Sequence, residues 1–336
     1  MRRLTTVILA VVVGVLTAEV LCAQEKKDQV VLQEEARTRR ISGRVLEETW
    51  KTVTVDTDGD GVADGAYEAD KVRRIEYADR PRYMLEAILL KRKPPELIVK
   101  LGRAYMDDAT PRHIRQHAYY DIADAWARIA RTDVTELPKA VEAYEKLFRE
   151  IPDSRYAVTG RIELGNLLLE MGKGDEAIRQ FEALTSGKFG AENARLGKLR
   201  VARAELALKR YDRAEKILSS LATSTPDVEL NQEVKLLSAR SMVGQGKYDE
   251  AHRTVTAVLA QKPTEKVRGM AYCVLGDLFA GRGQPKVALT AYLKVSMMYP
   301  ETDSTERARA GAQAVRLLEE LGRTEEAKEL KRSLSE

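Results

Sequence analysis

Hydrophobic and polar positions follow two different rhythms along the chain. From Val30 to about Arg80 they alternate: ISGRVLEETWKTVTVD sets Val45, Trp50, Val53 and Val55 among polar neighbours, and KVRRIEY repeats the habit. A period of two marks strands with one buried face. Residues 24–80 are therefore expected to form a small β-rich domain with a curved sheet. Beyond Arg80 the spacing becomes that of amphipathic helices and stays so to the C-terminus. A degenerate helical pair, acting as a cap, is expected over Tyr83 to Asp108 within residues 81–112, and regular helical pairs over residues 113–336.

The helical part repeats. Ala140, Ala177, Ala214, Ala251 and Ala288 recur every 37 residues, and Ala327 follows after 39. Each sits in a similar phrase, such as KAVEAYEKLFREIPDS, DEAIRQFEALTS or DEAHRTVTAVLAQKP. Twelve residues before four of these alanines stand further small residues, Gly165, Ala202, Ala239 and Gly276. Twelve residues after four of them stands proline: Pro152, Pro226, Pro263 and Pro300. Turns containing Gly172, Gly246, Gly283 or Gly322 fall between the helices of a pair. Small residues at fixed spacing on either side of such a turn let two antiparallel helices approach closely. About six stacked hairpins fit between residue 113 and the C-terminus.

This pattern resembles the tetratricopeptide repeat (TPR). In the unit holding Gly276, Phe279, Ala288, Tyr292, Val295 and Pro300 the small, apolar and proline positions of that family are all met. The unit with Gly165, Leu168, Ala177, Phe181 and Leu184 follows closely. The period is 37 where the family's is roughly 34, Glu205 stands where an apolar residue is usual, and about five extra residues separate Trp126 from Ala140. The resemblance implies a mainly α fold, a TPR-type α-solenoid of helical hairpins preceded by the small β-rich domain. The phrase Pro152-Asp153-Ser154 after a second helix is similar to exported TPR proteins of bacterial envelopes. The β segment resembles a small SH3-like or Sm-like barrel over about one-sixth of the chain. In the TPR family the residue after the small position of each first helix usually points into a concave groove, which here implies Asp124, Asn166, Arg203, Arg240, Asp277 and Arg316. Arg203 and Arg240 beside Asn166 suit the carboxylates of an extended acidic peptide; equally, they solvate the groove or pair with neighbouring glutamates. As exposed charges they would add little to stability.

Composition narrows the function. With 56 Lys+Arg against 52 Asp+Glu the net charge is +4, a near-balance that argues against a polyanion partner, so nucleic acid is not expected. A hydrophobic fraction of 44% excludes general disorder, and an aromatic fraction of 6% suits helices packed through Ala and Leu. Arg2 and Arg3 precede an apolar run from Val7 to Leu16, too short to cross a bilayer comfortably and long enough for the core of a secretory signal. Cleavage between Ala23 and Gln24, or after Ala18, would make residues 1–23 a signal peptide and leave an exported protein, periplasmic or extracellular, without a transmembrane span. The alternatives are an uncleaved anchor and a lipid attached at Cys22, against which the bulky Leu21 and the charged Glu19 both count. Loss of Cys22 with the signal leaves Cys273 as the one thiol, and its setting among Met270, Tyr272, Val274 and Leu275 reads as a buried apolar position.

One loop carries candidate metal chemistry. Asp56, Asp58, Asp60 and Asp64 alternate around Gly61, as in the Asp-rich loops of dockerin, thrombospondin type 3 and EF-hand families, so Ca²⁺ is the one cofactor the sequence suggests. Tyr67 occupies the twelfth place, where the EF-hand uses a bidentate glutamate, and Glu68 arrives one residue late. The competing reading is a solvated hairpin tip, because Asp-Gly pairs are strong turn formers.

Enzymatic chemistry finds no support. His113 and His117 lie four apart in HIRQH, which lacks the glutamate of a zinc-peptidase motif, and read as surface or packing histidines. His252 has no Cys or Asp partner at a nucleophile-like spacing, and no GxxxxGK[ST] loop is present. Arg37, Arg39 and Arg40 read as a solvated linker. Two functions stay open: a non-catalytic envelope scaffold that binds a protein partner in the groove, or a wall- or polysaccharide-associated module whose β unit, with or without Ca²⁺, binds the ligand while the helices act as a spacer.

Overall fold

The computed structural model describes residues 27–34, 37–78, 95–103, 106, 110–224 and 227–335. The expected signal peptide with Cys22, most of the expected helical pair from Tyr83 to Asp108, and Pro226 lie outside the described residues. Five strands come first: β1 (Asp28–Glu34), β2 (Arg37–Glu48), β3 (Thr52–Asp56), β4 (Gly65–Glu68) and β5 (Val72–Glu76). They form one antiparallel sheet in the order β4-β3-β2-β1-β5. Arg37, Arg39 and Arg40, expected in a linker, are exposed residues at the start of β2, where Arg39 pairs with Leu32 and Arg40 with Val31. A strand end whose side chains are all polar and exposed carries no alternation, which is why it reads as a linker.

Thirteen α-helices follow among the described residues: α1 (Pro95–Arg103), α2 (Arg112–Ala130), α3 (Leu137–Glu150), α4 (Ala157–Glu170), α5 (Gly174–Thr185), α6 (Ala191–Ala207), α7 (Tyr211–Ser224), α8 (Val228–Gly244), α9 (Tyr248–Ala260), α10 (Glu265–Gly281), α11 (Pro285–Met298), α12 (Ser304–Glu320) and α13 (Thr324–Ser335). From α2 onward they pair into six hairpins. The extra residues before Ala140 form a 3₁₀ turn, Val134–Glu136, in which the backbone N–H of Thr135 donates to the Asp133 carboxylate at 3.0 Å. No described helix is long and apolar enough to cross a membrane.

The chain divides into two compact units, Met1–Leu164 and Gly165–Glu336. In the first, Val30, Leu32, Ile41, Val45, Val53, Val55, Val72, Ile75 and Tyr77 of the β segment share one core with Ile114 of α2. The backbone N–H of Trp50 donates to the carbonyl of Asp153 at 3.1 Å, and Arg112 pairs with Asp153. The sheet is thus packed and hydrogen-bonded to the first hairpin. Helix α1 lays Ile98 and Val99 against Ile122 and Ala125 of α2.

In the second unit the small residues stand where helices meet. Ala177, Ala202, Ala214, Ala239, Ala251 and Ala288 are fully buried. A methyl group placed on Gly165 would come within 2.3 Å of the Phe181 ring, and one on Gly276 within 2.4 Å of the Tyr292 ring, so each aromatic side chain of a second helix rests on bare backbone of the first. Consecutive hairpins use the same device: Tyr211 covers Gly244 and Tyr248 covers Gly281. The hairpin turns at Gly172, Gly246, Gly283 and Gly322 have φ between 70° and 79°, and Lys209 takes the left-handed role (φ 58°) between α6 and α7.

This packing leaves no space for a larger residue at the alanines. Ala214→Leu should cost about 1–3 kcal/mol by overpacking the centre of the second unit, whereas Ala327→Leu in the last hairpin should mainly fray the end. Equilibrium unfolding in urea checks this, and a neutral Ala214→Leu would contradict the packing described.

Candidate functional site

Three members of the expected row, Arg203, Arg240 and Asp277, stand on successive first helices of the second unit, and they are not free charges. Arg203 on α6 pairs with Glu233 on α8, which also lies 3.9 Å from Lys266 on α10. Arg240 on α8 makes two parallel bonds to Glu306 on α12, at 2.7 and 2.8 Å, and lies 3.4 Å from Asp277 on α10. Asp277 in turn receives Arg309 at 2.7 and 3.0 Å and the Tyr292 hydroxyl at 2.6 Å. Two guanidiniums, two carboxylates and a phenol thus tie three first helices together.

This corrects the expectation that Arg203 and Arg240 are exposed: their side chains are 22% and 17% accessible. Burial works against the charge of Glu306, but Arg240 and Arg309 more than offset it and hold its carboxyl far below the usual range. Burial likewise opposes the charge on Arg309, while Asp277 raises its affinity for the proton. Arg316 is the exposed member of the row, its side chain 57% accessible and 3.3 Å from Glu320. Asn166 and Asp124 are half-buried. Cys273 is buried beside this network, and burial pushes its thiol up to about 12, so it is a packing residue and not a nucleophile.

The Asp-rich loop joins β3 to β4. Ligand atoms of Asp56, Asp58 and Asp64 lie within 4.8 Å of one another, and Asp60 is not part of that group. Much of their acceptor capacity is spent on the loop itself. Asp56 accepts from the backbone N–H of Gly59 at 2.6 Å and of Gly61 at 3.0 Å, and Asp64 accepts from the N–H and hydroxyl of Thr57, both at 2.6 Å. These bonds hold both carboxyls below the ordinary range, the largest influence coming from Gly59 on Asp56 and from the Thr57 hydroxyl on Asp64. Gly59 and Gly61, at φ 93° and 86°, turn their amides inward.

His113 and His117 belong to a different assembly, whose other members the sequence did not single out. Glu48, at the end of β2 and 3% exposed, is met by Arg155, by the Tyr77 hydroxyl at 2.5 Å, by His117 Nε2 at 3.0 Å and by the Gln116 amide at 3.3 Å. The Tyr156 hydroxyl lies 2.6 Å from His117 Nδ1. A neutral ring satisfies both contacts when Nε2 donates to Glu48 and Nδ1 accepts from Tyr156. His113 stacks on Tyr77 with ring centres 5.8 Å apart. Burial is the main reason both imidazoles fall to about 4, so both are uncharged at neutral pH. Neither belongs to a convergent metal-ligand set among the described residues. Glu48 gave no signal in the sequence because its partner Arg155 lies 107 positions away.

The network makes a sharp contrast testable. Arg240→Ala would leave Glu306 buried without its main partner and should cost about 3 kcal/mol in urea unfolding, whereas Arg316→Ala should stay within about 0.5 kcal/mol of the parent. Equal effects of the two changes would contradict the geometry.

Two sequence profiles described as tetratricopeptide repeat match residues 162–229 and 205–271. No curated protein matches the chain. Among solved structures, the chain is similar to a tetratricopeptide repeat protein from Parabacteroides merdae, with a TM-score of 0.53 and 15% identity over 76% of this chain and 98% of that one. It is also similar to a Rap protein complexed with Competence and Sporulation Factor, with a TM-score of 0.50 and 12% identity over 75% of this chain and 74% of that one. With the 37-residue period, the buried small residues and the paired helices, these matches show that the chain carries tetratricopeptide repeats.

Proposed function

We propose that this protein is a non-catalytic interaction scaffold, exported to the cell envelope, that holds a segment of a partner protein on the face lined by the first helices of its repeats. The observation that carries this reading is the repeat array itself. In the second unit side chains of successive first helices meet one another, Arg203 with Glu233 and Arg240 with Asp277, and such a surface suits an extended chain and not a small substrate. The Rap structure, which shares the fold, is of a complex with Competence and Sporulation Factor. Export is supported by the apolar run from Val7 to Leu16 behind Arg2 and Arg3. Because Arg203 and Arg240 already engage Glu233 and Glu306, the acidic peptide that bare arginines would suit is not the partner this reading favours.

A second reading, a wall- or polysaccharide-associated module, rests on the convergence of Asp56, Asp58 and Asp64. In that case the ligand meets the β3–β4 loop and the helices are a spacer. One experiment separates the two. A photo-crosslinking amino acid placed at Arg316, on the exposed part of the helical row, or at Val62, 65% exposed at the loop tip, is activated in the native host. The scaffold reading predicts a discrete protein adduct from position 316 and none from position 62. Adducts only from position 62 would favour the module reading.

A further inference from the structure

The groups around Glu48 form the seam between the β segment and the first hairpin, and they come from both sides of it. Glu48 and the Leu46 carbonyl belong to β2, and Tyr77 follows β5; His113, Gln116 and His117 lie on α2, and Arg155 and Tyr156 precede α4. The Gln116 amide donates to the Glu48 carbonyl at 3.0 Å, while its oxygen accepts from the Ser154 hydroxyl and the Arg155 N–H, both at 3.0 Å. His113 donates to the Leu46 carbonyl. Tyr77 lies 5.8 Å from both imidazoles, ring centre to ring centre, stacked on His113 and edge-on to His117. Through the same seam Ile114 enters the core of the sheet.

This arrangement accepts neutral rings and resists charged ones. With Nε2 donating to Glu48 and Nδ1 accepting from Tyr156, a further proton on His117 would set two donors face to face unless the Tyr156 hydroxyl turned away. Glu48 already has Arg155 as its countercharge. Asp121, on the same helix, favours a proton on His117, and Asp28 on β1 favours one on His113. Asp28 is itself engaged, accepting from the N–H of Val45 at 2.9 Å and of Ala78 at 2.7 Å, and Arg44 on β2 and the neighbouring imidazole oppose it. Burial outweighs these attractions, so both rings titrate near 4 in place of the ordinary 6.5. Separation of sheet and hairpin returns the rings to water and to their ordinary value. The separated form therefore binds more protons, and it gains on the docked form as pH falls from 6.5 towards 4. We propose that the seam is an acid-sensitive latch: protons taken up by His113 and His117 release the β segment from the first hairpin and bare the apolar face that Ile114 covers. The latch works within the unit Met1–Leu164 and stands independently of the scaffold reading.

Trp50 reports on the seam, because its backbone N–H is bound to the Asp153 carbonyl at 3.1 Å, and Trp126→Phe leaves it the one indole of the chain. The test follows its emission, with far-UV circular dichroism as a second probe, through urea titrations of the Trp126→Phe chain purified from the native host at pH 7 and pH 5. Carboxylates of ordinary affinity stay ionised over this interval, which isolates the histidines. The equilibrium constant for release, extrapolated to water, should rise roughly 400-fold from pH 7 to pH 5, about 20-fold for each histidine. At pH 5 the emission change should precede the loss of helical signal. His113→Gln, at a half-buried position where an amide can still donate to Leu46, should reduce the rise to about 20-fold, and His252→Gln, at an exposed position, should leave it unchanged. A rise below about fivefold, an undiminished rise in His113→Gln, or coincidence of the two transitions at pH 5 would each overturn the proposal.

Discussion

Where Phe181 meets Gly165 and Tyr292 meets Gly276, a flat ring lies directly on helix backbone, and the distance it occupies is the distance a Cβ would need. Much of the array follows from that contact. It sets how near the two helices of a hairpin come, and it forces the facing positions, such as Ala177 and Ala288, to be small as well. Tyr211 on Gly244 and Tyr248 on Gly281 extend the contact from one hairpin to the next. Since each hairpin is held by its neighbours, the geometry of one contact propagates along the second unit.

Helices drawn this close also decide the fate of the charges between them. Arg240, Asp277, Glu306 and Arg309 come from three first helices and neutralise one another away from water. Such a network is weak evidence for stability as a whole, yet it is sensitive to the loss of any one member. Glu48 plays a comparable part in the first unit, where Arg155, His117, Tyr77 and Gln116 surround one carboxylate and tie the sheet to the helices.

The sequence showed the repeats because a close helix approach leaves a mark at a fixed position: a small residue every 37, with glycine at the turns. The alternation around Val45, Val53 and Val55 revealed β2 and β3 for a similar reason, one face of a strand being buried at every second residue. The Asp-rich loop was visible as a turn; that Asp56 and Asp64 would serve the amides of Gly59, Gly61 and Thr57 was not, because turn signals and cation ligands use the same residue type. The ion pairs were invisible for a plainer reason. Arg240 and Glu306 are 66 positions apart, and Arg155 and Glu48 are 107 apart, separations at which a single sequence carries no pairing information. A row read from the repeat register located Arg203 and Arg240 on their helices but gave no account of which glutamates would meet them.

The dependence of the array on ring-to-backbone contact is most directly measured by a double-mutant cycle on Gly165→Ala and Phe181→Leu in urea unfolding. The added methyl alone should cost about 1–3 kcal/mol despite alanine's better helix propensity, because it displaces the Phe181 ring. With leucine at position 181 the same methyl should cost far less, leaving a coupling of at least about 1 kcal/mol between the two changes. Costs that add to within about 0.5 kcal/mol would show that the ring and the bare backbone do not constrain each other, and something other than this contact would then set the spacing of the paired helices.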